Sequence, residues 1–115
     1  MKPTPIYLTI YFLLITTLLS AQIPMGFNFQ AVARTGDGEL IINQNISVRV
    51  SLVEVDNFET TIFREIHQVL TSDLGTFNLV IGEGVQDLGH LQEVSWANKQ
   101  LFLRIEIDPD GGSQY

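Results

Sequence analysis

ISVRVSLVEV, residues Ile46 to Val55, is the stretch on which the fold turns. Ile46, Val48, Val50 and Leu52 fall on one side of a two-residue period, and Ser47, Arg49, Ser51 and Val53 fall on the other. Such alternation is the mark of a β-strand, whose side chains point to opposite faces in turn. The β-branched residues that dominate the apolar side suit a pleated surface and lower helix propensity.

The neighbouring segments repeat the pattern. Upstream, GFNFQAVAR (residues 26–34) sets Phe27, Phe29, Ala31 and Ala33 against Asn28, Gln30, Val32 and Arg34, and TGDGE then supplies a glycine turn. Downstream, TIFREIHQVLT has a blurred phase. Ile62 and Ile66 share a side with Arg64 and Gln68, while Phe63, His67 and Val69 share the other, which predicts a bulge or a strand covered on both faces. After the SDLG turn, TFNLVIG points Phe77, Leu79 and Ile81 inward. HLQEVSWANK spaces Leu91, Val94 and Trp96 for one short helical turn. LFLRIEID then places Leu101, Leu103, Ile105 and Ile107 inside, with Phe102, Arg104, Glu106 and Asp108 outside. Five or six strands at roughly ten-residue spacing predict an all-β sandwich with Greek-key connections.

The first residues read differently. Met1 and Lys2 precede the uncharged run Ile6 to Leu19, and Ser20 and Ala21 close it. That layout predicts a helical signal peptide over residues 1–21, cleaved before Gln22. The apolar run would reach about 21 Å as a helix, short of a bilayer core of ~30 Å, so contact with the membrane is expected only during export. The domain is then residues 22–115, secreted or at the cell surface. The chain has no cysteine, which excludes a disulfide framework and a lipid-modified cysteine after the leader. Thirteen acidic residues against six basic ones give a net charge of −7, a surface that repels phosphate backbones and argues against nucleic acid as a partner.

Candidate chemistry is sparse. His67 and His90 lie far apart with no cysteine or carboxylate at ligand spacing, so strand-face or surface roles are expected. No serine stands in a nucleophile-elbow pattern. Asp108 and Asp110 could offer oxygens to calcium, but a plain turn is the expected reading, because an EF-hand pattern is absent. Glu83 and Asp87 read as solvated loop residues, and Asn45 opens an Asn-Ile-Ser sequon. No cofactor, metal or catalytic residue is expected. Two aromatics are candidates for ligand or partner contact: Trp96, for which a core position is expected, and Phe102, which alternation places outside among charges.

GFNFQAVAR, GTFNLVIGEG, Trp96 and IEIDPDGGSQY together resemble the N-terminal β-sandwich domain of secreted surface proteins of the Bacteroidetes type. The resemblance covers residues 22–115. It implies a domain that follows the signal peptide, often precedes collagen-like or fibre-like segments, and has no catalytic role. The family often has tyrosine where this chain has Phe29. In the family the DPDGGS turn is followed by a further strand and a VPYA-like stretch, whereas this sequence stops at Tyr115. The expectation is thus an immunoglobulin- or transthyretin-like sandwich lacking its last strand. Its expected role is that of a non-enzymatic structural or interaction module, pairing with a protein partner or itself through an exposed edge strand. A carbohydrate- or other ligand-binding module is the alternative.

Overall fold

The computed structural model describes residues 26–97 and 99–115, so the signal peptide expected over residues 1–21 lies outside the described residues. The Ile46 alternation forms β2 (Asn45–Val55), which sits inside a four-stranded sheet. β3 (Glu59–Leu70) pairs with one side of it and β6 (Leu101–Asp108) with the other. β5 (Val85–Leu88) pairs beyond β3, giving the order β5-β3-β2-β6. A second sheet holds β1 (Phe27–Val32) and β4 (Thr76–Ile81). All pairings are antiparallel.

The protein is therefore an all-β sandwich of two antiparallel sheets. Within the larger sheet the chain order is that of a Greek key: β6 returns to lie beside β2 after β3 and β5 have been laid down, with β4 detouring into the other layer. A single turn of 3-10 helix, Leu91–Glu93, lies on the way from β5 to β6. Among the described residues no helix is long and apolar enough to cross a membrane.

The inward residues of the alternating runs make the core. Val48, Val50, Phe63 and Ile81 are fully buried, and Ile46, Leu52, Phe77 and Leu79 join them. Each fully buried side chain of this kind contributes about 1.5–3 kcal/mol relative to exposure, which is why the alternation dictates which face turns inward. β1 contributes less. Ala33 just past it is buried, but Phe27 remains 42 % exposed.

The blurred phase of TIFREIHQVLT is a bulge. Leu52 stands opposite Phe63 and Val53 opposite Thr61, so Ile62 has no partner across the ladder. The extra residue lets Ile62 and Phe63, adjacent in sequence, both pack towards the core.

Four sequence-based expectations are corrected. Trp96 is 50 % exposed, because the chain leaves helical geometry at Val94 (ψ 127°) and carries the indole off the apolar face that buried Leu91 occupies. Leu103 points inward as expected but stays 38 % exposed, since the two-stranded sheet does not cover the full width of the four-stranded one. Asp108 lies in the outward series yet is buried, covered by the loop that follows it. Val53, also in an outward position, is buried where it lines a groove with Phe102.

Candidate functional site

The LFLRIEID segment forms the edge strand β6, and its backbone parity decides what it can offer. Residues 47–54 of β2 stand opposite residues 108–101, and the Val55 N–H donates to the Gln100 carbonyl in the same register. Hydrogen-bonded pairs alternate along an antiparallel ladder, so Phe102, Arg104 and Glu106 direct their backbone groups to β2. Leu101, Leu103, Ile105 and Ile107 direct theirs away from it. Among the described residues nothing pairs with that side of β6.

An apolar groove adjoins this edge on the outer face. Phe102, 52 % exposed, lines it with Val53, Val55, Leu103 and the Glu59 and Arg104 side chains, enclosing about 380 Å³. The Arg104 guanidinium bridges to Glu59 at 2.7 Å across the groove. Phe58, at the tip of the β2–β3 hairpin, is 75 % exposed. Trp96 does not line this groove, so the two candidate aromatics are not brought together in it.

The outer face of β2 is closed by the chain's last residues rather than by a strand. Gln44 Nε2 donates to the Pro109 carbonyl, and the Asp108 carboxylate accepts from the Asp110 and Gln114 amides at 3.0 Å each. Tyr115 is thereby laid over Arg49, whose guanidinium carbon is 4.3 Å from the ring centroid, while its hydroxyl shares a hydrogen bond with Ser47. Arg49 also makes a bidentate pair with Glu106, at 3.1 and 2.9 Å. The pair raises the guanidinium's affinity for its proton and holds Glu106 below the usual carboxylate range, the hydrogen bonds being the largest cause in each case.

The turn in DPDGGSQY thus folds back across the sheet and leaves the β6 edge open. Asp108 is committed to the amides of its own loop. Those hydrogen bonds, from Gln114 first and then Asp110, hold its carboxyl below the usual aspartate range. A carboxyl whose proton affinity falls on folding stabilises the fold above its unfolded value and stops doing so as pH falls through its folded one. Acidification into that low range is expected to release the terminal loop, followed by the Gln114 amide resonance. Asp108→Asn should lack the acid step. An Asp108 loop unchanged through strong acid would contradict the assignment.

A second polar cluster was not visible in the sequence. Glu65 faces the core opposite Val50 and is fully buried. Its Oε1 accepts from the Gly82 amide at 2.7 Å and pairs with His67 Nε2 at 2.9 Å, and its Oε2 accepts from the Gly84 amide at 3.0 Å. The β4–β5 turn closes on this pair so tightly that a Cβ on Gly84 would lie 2.6 Å from His67 Nε2 and 2.9 Å from the Ile66 carbonyl oxygen. The signals for it were Glu65 and His67 two apart on one strand and the glycines of GEG.

The remaining candidates are placed simply. His90, exposed, pairs through Nδ1 with Gln86 Oε1 at 2.7 Å, and Asp87 bridges to Arg64 at 2.6 Å. Glu83, Asp110 and Asn45 are exposed. Among the described residues no three His, Cys, Asp or Glu side chains gather as a metal site would require.

Fold and site together define an all-β sandwich module in which, among the described residues, the long edge strand β6 has an unpaired side flanked by apolar residues. A family model described as a domain of unknown function (DUF8740) matches residues 28–115, and the chain belongs to that family. No curated protein and no solved structure matches it.

Proposed function

We propose that this protein is an exported, non-enzymatic module of the cell surface or extracellular space, acting as a structural or interaction domain that accepts a strand at β6. The observation that carries the reading is the open edge. Four residues with outward backbone groups, among them the exposed Leu103, lie beside an aromatic groove. Such an edge is a template for β-strand addition, in which main-chain hydrogen bonds supply affinity and side-chain pockets supply selectivity.

The non-enzymatic part is supported by the way the histidines are used. The Glu65–His67 pair resembles the base and orienter of a catalytic site, but both carboxylate oxygens are bound to turn amides and the glycine turn seats directly on the imidazole. Among the described residues the side chains of this pair hydrogen-bond only to each other and to the Gly82 and Gly84 amides. Export is supported by the leader-like pattern of residues 1–21, and a place at the start of a larger surface protein by the motif resemblance.

Cell fractionation with N-terminal sequencing tests the export. The expected product begins at Gln22 and is found in the envelope or medium; a cytoplasmic product retaining Met1 would overturn it. The edge itself is tested by the proline substitutions argued in the Discussion.

A further inference from the structure

We propose that β6 is a self-pairing strand, taking β6 of a second copy antiparallel with Ile105 opposite Ile105, so that two four-stranded sheets become one. The proposal rests on the strand-acceptor reading above and names its occupant.

The register follows from parity and charge. Only Leu101, Leu103, Ile105 and Ile107 have backbone groups free to bond outward, so a self-pair must match odd-numbered residues with odd-numbered ones. Centring the two-fold axis on Leu103 leaves only residues 101–105 paired. Centring it on Arg104 sets two guanidinium groups directly opposite each other, which is destabilising. Centring it on Ile105 pairs residues 102–108, with Arg104 opposite Glu106 of the second copy and Glu106 opposite its Arg104.

The existing ion pairs fit that last arrangement. Glu106 is already held by Arg49 and Arg104 by Glu59. Pairing the strands would join these into a row of alternating sign across the outer face: Arg49, Glu106, then Arg104 and Glu59 of the second copy. On the inner face Leu103, 38 % exposed, would meet Ile107 of the second copy, which would cover the apolar surface that the smaller sheet leaves open.

The edge is also clear and regular. β6 pairs with β2 without a register shift, and the terminal loop folds towards Gln44 and Arg49 of the sheet's outer face, away from the edge. The opposite edge of the same sheet shows what protection looks like. β5 has four residues, a register shift beside Arg64 and the Asp87–Arg64 bridge.

The test uses the full chain expressed with its own N-terminal segment. Sedimentation should show a reversible dimer across the micromolar range. The chain lacks cysteine, so single variants are clean probes. Arg104→Cys mixed with Glu106→Cys under oxidised glutathione should form a mixed disulfide dimer in at least about ten-fold excess over Arg104→Cys alone, opposed residues in such a pair lying within disulfide reach. Preferential crosslinking of Phe102→Cys to Arg104→Cys would overturn the register. A monomer at every concentration would overturn self-pairing. In that case fast exchange of the Leu103 and Ile105 amides would leave the strand-acceptor reading standing, and slow exchange would remove it too.

Discussion

Glu65→Ala is expected to lower the stability of the domain by about 3–5 kcal/mol, the cost of breaking a hydrogen-bond network built on a fully buried side chain with three partners. For a domain of this size that corresponds to a fall in Tm on the order of 15 °C or more. The substitution takes the shared acceptor from the Gly82 and Gly84 amides and from His67 Nε2, all three of them part-buried. Each unsatisfied donor costs about 1–3 kcal/mol, and the missing carboxylate leaves a cavity beside Val50. Glu65→Gln keeps the volume but presents an NH₂ to at least one of those donors, so an intermediate loss is expected. Glu83→Gln, in the same turn but exposed, should change stability by less than about 0.5 kcal/mol. Thermal unfolding followed by circular dichroism reads all three. A Glu65→Ala protein as stable as Glu83→Gln would mean that the cluster is not the clamp that holds the β4–β5 turn to β3.

Proline at two adjacent positions of β6 should have very different effects. Arg104 faces β2 opposite Ser51, which is buried, so Arg104→Pro deprives the ladder of a donor and leaves a carbonyl unpaired at a cost of about 1–3 kcal/mol. The accompanying distortion of the strand and loss of the Glu59 bridge add to that, for a drop in Tm on the order of 10 °C. The Leu103 N–H points away from β2, so Leu103→Pro removes no ladder hydrogen bond among the described residues. Its cost should be close to that of Leu103→Ala, which measures the lost side chain alone. Proline is tolerated on edge strands for this reason. Equal damage from the two prolines would show that both sides of β6 are bonded and that no open edge exists.

What was legible in the sequence was the part governed by one-dimensional periodicity. β2 and β4 bury the residues their alternation nominates, because a one-residue slip would turn every apolar side chain outward. The bulge at Ile62 was legible as a disturbance of phase. Burial that depends on what lies above a face was not. Asp108 and Ser47 look like surface residues until the terminal loop is laid over them, and Leu103 looks like core until the smaller sheet is seen to end short of it. Trp96 fails for a related reason. Helical spacing places it on the apolar side only if the helix continues, and the turn stops at Glu93.

The candidate site divides in the same way. Phe102 was identified from alternation alone, and the edge it flanks was expected from the motif resemblance, which implies a further strand after the DPDGGS turn. The Glu65–His67 clamp escaped because a buried carboxylate is justified only by its partners, and these are backbone amides some seventeen and nineteen residues further along the chain. Residue types at those positions carry little sign of it beyond the glycines that permit the close approach.

Residue-resolved amide hydrogen exchange along β6, on dilute protein, tests the open edge most directly. The amides of Phe102, Arg104 and Glu106 should be protected by β2, and those of Leu101, Leu103, Ile105 and Ile107 should exchange orders of magnitude faster, slowing only as concentration rises and strands pair. Uniform protection of both sets in a dilute monomer would contradict the account.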